Sequence, residues 1–530
     1  RELARRGQHV ALVERHSIGS GVSAGNTGIA CTLLGVAQGS LERRCLEHGR
    51  SLNLATYRAL GVPHNPCGAL YVAWSDEELA ALSSLLAAGQ GEEGVVELSA
   101  AELRLAEPHL GAGARGAVLV PGEVVVDPGL VPLAFARDAL HHGAEIFEGL
   151  EAVGLERVSG ADGYWRIALR PTAPEGLAAV PATGATEIFA WHVVNCGGLG
   201  ADGVQATAGR DGLSFAPRRG DYLVFRPPQA DADPLLFRPI GAVPTPAARG
   251  VYVWPTVHGN IACGPTNVVQ DDKALAEPQA STLGALREHA FKVCPGLRDW
   301  PVAGCYSGLR PALSPGTWGT DYLIRTCHED RWSVVAGVRS TGLTASLGIA
   351  ALVADGILGP TSASSNYNND NTNNPNNNKN NNDNNNSNNT NSNTNSNNNT
   401  NSNNNTNSNN NNNPPGSTAS PAMPPLPPLR QLSRDFVARG DGKVDLHGRP
   451  FRVAHALTQI GLAGGSSPGV SMQAPGHRGS GLWVGARGSA SLSSWRLPQE
   501  ARVRRTRGLP LLLPVASQLR SLASKLRSLA

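Results

Sequence analysis

The sequence predicts an α/β protein joined to an α+β part: a layer of parallel strands alternating with helices, a largely antiparallel second sheet, and a long carboxy-terminal stretch without a core. Three observations carry that prediction. Short apolar runs bounded by turn residues, such as His9-Val10-Ala11-Leu12-Val13-Glu14 and Ser333-Val334-Val335-Ala336, read as buried parallel strands. β-rich runs separated by turns occupy residues 164–264. From Asn366 to Asn413 the chain is almost pure Asn with Ser and Thr, which cannot bury apolar surface to offset chain ordering.

From the amino terminus, Arg1 to Arg6 reads as the end of a helix, with Gly7 in the left-handed position that closes it. The strand 9–14 follows, and a helix is predicted from Ser40 toward Leu60. Ser75-x-x-Glu78 and Ser99-x-x-Glu102 are capping boxes, in which hydroxyl and carboxylate satisfy backbone N–H groups reciprocally. Asp127-Pro128 opens another helix, with Asp as N-cap, and Gly143 closes it before a strand near Ile146. His141 and His142 fall in that helix's last turn, where they favour its dipole. Residues 164–170, 187–195, 220–225, 251–254 and 261–264 are predicted strands of the second sheet. Ser333–Ala336 returns to the first layer, and Gly337 to Thr344 leads into a helix reaching about Leu358.

Beyond the Asn tract, itself a passive repeat expansion or a prion-like assembly segment, Val444 to Val453 reads as a small hairpin with no chemistry. Ala501 to Ala530 carries seven basic side chains, no acid, and Leu519, Leu522, Leu526 and Leu529 on one helical face. That pattern reads either as a helix making weak membrane-surface or partner contact, or as an unstructured extension.

Composition narrows the function classes. The 530 residues are ample for two hydrophobic cores, and 45 Lys and Arg against 42 Asp and Glu leave a net charge of +3, which argues against nucleic acid as a partner. No apolar run is long enough for a membrane-spanning helix. The eight cysteines are scattered, without a C-x-x-C pair and with none beyond Cys327, so neither a disulfide framework nor a metal site is predicted.

The chemistry is concentrated in glycine-rich turns. In a Rossmann-like βαβ unit, strand one feeds a G-x-G-x-x-G turn and a helix, then strand two ends in an acid that hydrogen-bonds a ribose. Here the helix end, strand two and Glu14 are present, Glu14 being either that acid or a solvated strand-end carboxylate. The first strand and its glycine turn are absent and are expected in roughly 20–40 residues upstream of Arg1. Gly19-Ser20-Gly21-Val22-Ser23-Ala24-Gly25-Asn26-Thr27-Gly28 then packs glycines and small hydroxyl residues into one loop. Backbone N–H groups in such a loop can approach a pyrophosphate or ribityl chain, because no Cβ intervenes. That reading selects Gly21, Ser23, Asn26, Thr27 and Gly28 as cofactor contacts.

With these segments in view, the chain resembles the FAD-dependent oxidoreductases of the D-amino-acid-oxidase-like class, in the branch of glycerol-3-phosphate dehydrogenases and L-2-hydroxyglutarate dehydrogenases. The resemblance rests on ordered segments: residues 10–14, 25–28, 39–42, 121–128, Val193-Val194-Asn195-Cys196-Gly197-Gly198, 217–222, 255–260 with 264–266, Gly308-Leu309-Arg310-Pro311, and 336–344. It implies a discontinuous FAD-binding domain over 1–60, 120–220 and 331–360 and a substrate domain over 61–119 and 221–330; composition adds a disordered linker over 361–430 and a largely disordered extension over 431–530. It implies non-covalent FAD, contacted also by the Val153 backbone, by Asn195, Gly197 and Gly198, and by Gly337, Ser340, Gly342, Leu343 and Thr344. There a helix N-terminus would stabilise the reduced flavin.

The resemblance further implies hydride transfer from a small anionic hydroxy substrate, glycerol 3-phosphate or a 2-hydroxy acid, to flavin N5, and an electron acceptor that the sequence does not identify. Arg310 matches the family's arginine that grips the substrate's acid group, for which a guanidinium fork suits; the alternative is a structural salt bridge. Arg339 is a second candidate or a surface charge. For the hydroxyl proton a base of near-neutral pKa is needed, and His258 is either that base or a turn residue, with Tyr222 next in order. Two rival functions remain: an amine or amino-acid oxidase on the same fold, and a non-catalytic flavoprotein fragment.

Overall fold

The computed structural model describes residues 1–88, 93–160, 163–172, 187–229, 231–243, 250–273, 277–314, 321–360, 423–464 and 483–485. The described residues within 1–359 and 424–485 belong to one compact unit; all but the end residues of the other, 360–423, lie outside the described residues, as do the Asn tract and the basic tail. No described helix is long and apolar enough to cross a membrane.

The parallel layer consists of two strand pairs. Ala11–Glu14 pairs with Glu145–Glu148, and Val193–Asn195 pairs with Trp332–Ala336, which also holds Leu323–Cys327 antiparallel. Among the described residues no strand joins the two pairs, and Leu12 is left exposed. The strand near Ile146 is preceded by the helix Leu130–His141, closed by Gly143 at φ 82°. Asp127 serves that helix from two residues further out than an N-cap, its Oδ1 accepting from Gly129 N and Leu130 N, each at 2.9 Å.

Helix Leu41–Leu60 spans the range predicted for it. Ser40 Oγ accepts from Arg43 N, and Gly61 closes the helix at φ 72°. Asp321 adds a carboxylate at the helix N-terminus, accepting from Leu41 N at 2.6 Å and Glu42 N at 2.9 Å. This helix lies against Gly342–Leu358 backbone to backbone. A Cβ at Gly49 would come 2.2 Å from Thr344 O, and one at Gly348 would come 2.1 Å from Cys45 O. Ser99 and Glu102 form the expected reciprocal box; at the other predicted box Ser75 Oγ accepts from Glu78 N at 3.2 Å as expected, while the Glu78 carboxylate accepts from Trp74 N.

The second sheet is larger than predicted and mixed. Its order runs from Val302–Arg310 through Arg218–Phe225, Ile261–Gly264, Tyr252–Pro255, Ile240–Ala242, Ala69–Ala73 and Gly116–Val120 to Val96–Ser99, with Trp483–Gly485 beside Val302–Arg310. One internal pair, Ile240–Ala242 with Ala69–Ala73, is parallel. Period-two alternation gives the sheet two faces. Leu223, Phe225 and Cys263 pack with Leu286, Ala290 and Val293 of helix Ala280–Val293. Tyr222, Val224, Trp254 and Tyr306 belong to the opposite face.

Two expectations are corrected. The runs 164–170 and 187–195 do not belong to the second sheet, and 187–195 is not one strand. Glu187–Ala190 pairs with Tyr164–Pro171, which pairs with Leu150–Val158 in a separate three-stranded sheet, while Val193–Asn195 belongs to the parallel layer; the chain breaks at exposed Trp191. Nor is the extension unstructured between residues 424 and 464. Helix Leu429–Arg439, hairpin Lys443–Leu446 with Arg449–Arg452, and helix Ala456–Ala463 bury Leu432, Phe436, Val444, Phe451 and Ile460, giving the segment the apolar content that folding needs.

Candidate functional site

Glu14 ends the first strand, and its carboxylate accepts from His16 N at 2.8 Å; burial raises its pKa above the ordinary carboxylate value against that bond. The glycine loop follows. Gly21–Gly25, which includes Ser23, is a short 3₁₀ turn, and Asn26 closes the loop on itself. Its Nδ2 donates to Ser23 O and its Oδ1 accepts from Gly28 N, both at 2.7 Å, while Thr27 Oγ1 accepts from Ile29 N at 3.3 Å. Gly28, at φ 71°, cannot carry a side chain: its Cβ would meet Val126 O at 2.7 Å.

Two distant turns come to this loop. Asn195 braces the first, with Oδ1 accepting from Gly197 N at 3.1 Å and Nδ2 donating to Ala201 O at 2.8 Å. A Cβ on Gly198 would touch Val22 Cγ2 at 3.7 Å, so this turn lies against the glycine loop. The second runs from Gly337, at φ 71°, through Ser340 and Thr341 to the helix Gly342–Leu358, which includes Leu343 and Thr344. No side chain caps that helix; the Thr341 hydroxyl donates to Glu42 Oε1 at 2.6 Å. Thr344 Oγ1 accepts from Cys31 N at 3.0 Å, bringing the uncapped end to the chain that leaves the loop. Val153 lies in the three-stranded sheet, within Leu150–Val158.

The floor of the site is the Tyr222 face of the second sheet. Tyr222 and Tyr306 stack with centroids 4.2 Å apart. Tyr222 Oη donates to Gly25 O at 2.9 Å and Tyr306 Oη to Asn26 O at 3.2 Å. Burial pushes the Tyr222 phenol up to about 12, with Arg310 opposing it, and pushes Tyr306 well above its ordinary value; both are donors, not bases, at neutral pH. Between them Gly25 and Gly308 meet at backbone distance, a Cβ on Gly25 falling 2.4 Å from Gly308 Cα.

Arg310 shares this face, two and four residues along the strand from Gly308 and Tyr306. A Cβ on Gly220 would lie 3.0 Å from Arg310 Nη2. Nη1 and Nη2 both donate to Thr266 O at 3.3 Å, and Thr266 is itself held by Asp221, whose N–H donates to Thr266 Oγ1 at 2.9 Å. Among the described residues no carboxylate pairs with Arg310. Arg339 differs: its Nη2 pairs with Glu42 Oε2 at 3.0 Å, which makes it part of the scaffold under the turn 337–344.

His258 is not exposed as a base. Its Nε2 donates to Asp127 Oδ2 at 2.6 Å, its side chain is 6 % exposed, and Gly461 lies so close that a Cβ there would come 2.2 Å from the ring. The residue read as either a base or a turn histidine is one half of a buried pair with Asp127, the carboxylate that accepts from the N-terminus of helix Leu130–His141. Sequence reasoning missed Tyr306, Thr266 and His455. Tyr306 was readable, since 306, 308 and 310 alternate onto one face, whereas His455 carried no local signal.

The family described as DAO, FAD dependent oxidoreductase, matches residues 1–356. A glycerol 3-phosphate dehydrogenase of Caloramator mitchellensis is 26 % identical over 360 residues, covering 67 % of this chain and 70 % of that protein. The mitochondrial L-2-hydroxyglutarate dehydrogenase of Mus musculus is 27 % identical over 254 residues, 46 % of this chain and about half of that one, 52 %. The crystal structure of glycine oxidase from Geobacillus kaustophilus superposes with a TM-score of 0.57 at 23 % identity, over 69 % of this chain and 93 % of that one, which shows the shared fold.

Proposed function

This chain belongs to the DAO family of FAD dependent oxidoreductases, and from that premise we propose that it oxidises a small anionic hydroxy substrate, glycerol 3-phosphate or a 2-hydroxy acid. FAD is its cofactor, and the residues present fit it. Gly21 has open space where a Cβ would stand, Gly198 packs against the same loop at Val22, and the uncapped N-terminus of Gly342–Leu358 is tied by Thr344 to the chain that leaves the loop, features that suit a pyrophosphate and a flavin carbonyl. When bound there, FAD supplies the acceptor for the two electrons. Glu14, Asn26, Asn195 and Thr344 would hold it.

The observation that carries the substrate reading is Arg310. Its guanidinium sits beside Tyr222 on the face that meets the glycine loop, anchored through Thr266 O and with donors left over. A planar fork in that position would take a carboxylate or phosphate bidentately and turn the substrate's hydroxyl-bearing carbon toward the loop. Tyr222 and Tyr306, neutral and committed to backbone carbonyls, wall the space and exclude water.

The test is anaerobic addition of glycerol 3-phosphate or L-2-hydroxyglutarate while flavin absorbance is followed. Bleaching by either supports the reading; bleaching by amino acids alone moves the chain to amine oxidation, and none at all to a non-catalytic flavoprotein. In Arg310→Lys, substrate binding is expected to weaken by about 1–3 kcal/mol with FAD content unchanged, because Lys keeps the charge but not the fork. Wild-type kinetics in that variant would remove Arg310 from the site. The flavin itself is expected in the supernatant after acid precipitation, since the glycine loop 19–28 contains no Cys or His; yellow colour retained by the pellet would show covalent attachment.

A further inference from the structure

Residues 424–464 lie beyond the part of the chain that the family covers, yet they reach its candidate site. The segment enters at Leu426, whose N–H donates to Leu60 O at 2.8 Å, and Arg449 Nη2 donates to Ile146 O at 3.2 Å. It ends in the helix Ala456–Ala463, capped by His455. Ala456, Leu457 and Ile460 pack into the cluster that contains Tyr222, Trp254 and Tyr306.

Three residues, each three positions from the next, share one side of this segment. His455 Nδ1 accepts from Leu457 N at 3.2 Å, so the ring proton is on Nε2, which donates to Asn26 O at 3.0 Å. The ring stands edge-on to Tyr306 at 5.5 Å and is 1 % exposed. Thr458 Oγ1 donates to Asp127 Oδ1 at 2.5 Å and accepts from Gly129 N at 3.0 Å. Gly461 covers the His258 ring, where no larger residue fits.

We propose that residues 424–464 form a built-in clamp on the cofactor site, in which His455 is a positioning residue that fixes the Asn26 carbonyl and through it the glycine loop. Thr458 and Gly461 hold the Asp127–His258 pair that lies behind the same loop, where Val126 N donates to Gly28 O at 2.8 Å. Tyr306 and His455 donate to one carbonyl from two sides, which leaves the peptide after Asn26 a single orientation. The inference rests on the reading that the loop 21–28 contacts FAD.

Two substitutions separate the two jobs of the histidine in the full chain. His455→Asn keeps an acceptor for Leu457 N and so preserves the helix cap, but its amide is too short to reach Asn26. His455→Gln reaches Asn26 and gives up the cap. The FAD dissociation constant, read by quenching of flavin fluorescence, is expected to rise about tenfold in the Asn variant at a nearly unchanged melting temperature, and to stay within about threefold of wild type in the Gln variant. The reverse order, with Asn tolerated and Gln not, makes His455 a helix cap and overturns the clamp. Gly28→Val examines the underlying reading separately: unchanged FAD affinity there means that the loop is no cofactor contact, and both readings fall. Should Gly28→Val weaken FAD while both His455 variants bind it normally, only the clamp falls.

Discussion

Gly308→Val is expected to strip the protein of FAD. A Cβ at this position falls 2.5 Å from Gly25 Cα and 2.8 Å from Gly25 O, and both obstacles are backbone, which cannot swing aside. The loop would have to lift from the sheet, parting the Gly25 and Asn26 carbonyls from Tyr222 Oη and Tyr306 Oη. Overpacking alone costs about 1–3 kcal/mol, and each lost hydrogen bond about 1 kcal/mol more. FAD occupancy of the purified protein, read from its absorbance, should therefore fall by more than about tenfold. Gly284→Ala is the control, since its Cβ meets open space on helix Ala280–Val293. It should keep FAD and gain about 0.5–1 kcal/mol of stability. Full flavin content in Gly308→Val would mean that the loop does not need this contact.

The second large effect is one of pH. Burial pushes His455 down to about 4, against the pull of the nearby Asp127 carboxylate and of its bond to Asn26. A histidine whose folded pKa lies below its ordinary value binds fewer protons folded than unfolded. Its contribution to stability is therefore complete above about 6.5 and is lost as pH falls from there toward 4. Between pH 7 and pH 5 the loss is about 2 kcal/mol. Protonation of Nδ1 would set two N–H groups against each other at Leu457. Asp127, lowered by His258, Thr458 and backbone N–H groups in spite of its burial, adds a loss of the same sign only at more acid pH. Glu107, raised to about 7 chiefly by burial, acts oppositely, its contribution fading as pH climbs through that value. The wild-type profile mixes these groups, so the quantity to measure is the difference in unfolding free energy between wild type and His455→Gln. That difference should shrink by about 2 kcal/mol on going from pH 7 to pH 5. A difference independent of pH would show that His455 does not titrate in this window.

What was legible in the sequence was local. The helix from Leu41 to Leu60 was legible in its extent, and the structure shows Ser40 capping it and Gly61 closing it in the left-handed conformation. The glycine turns at 21–28, 197–198 and 337–342 declared themselves because only a residue without Cβ fits a positive φ or a backbone contact such as Gly28 against Val126. Arg310 was singled out by the family resemblance that Gly308-Leu309-Arg310-Pro311 carries, and its role is proposed.

The fate of individual side chains was not. Arg339 and His258 looked like free polar groups, and their partners Glu42 and Asp127 lie 297 and 131 residues away. Nothing near His455 marks it, since the carbonyl it fixes is 429 residues distant. The carboxy-terminal segment read as an extension because its place on the rest of the chain is set over long range: Ala456, Leu457 and Ile460 pack on the Tyr222 face, and Leu426 N and Arg449 Nη2 donate to the carbonyls of Leu60 and Ile146. The sequence by itself determined the strand 11–14, the helices 41–60 and 342–358, the Ser99–Glu102 box and the glycine turns, since these depend on backbone conformation within a few residues. Only the tertiary structure decided which strands became neighbours and which face met which loop. Alternation along a strand states that two residues share a face, but the group opposite them is set by sheet order and by burial summed over the whole chain.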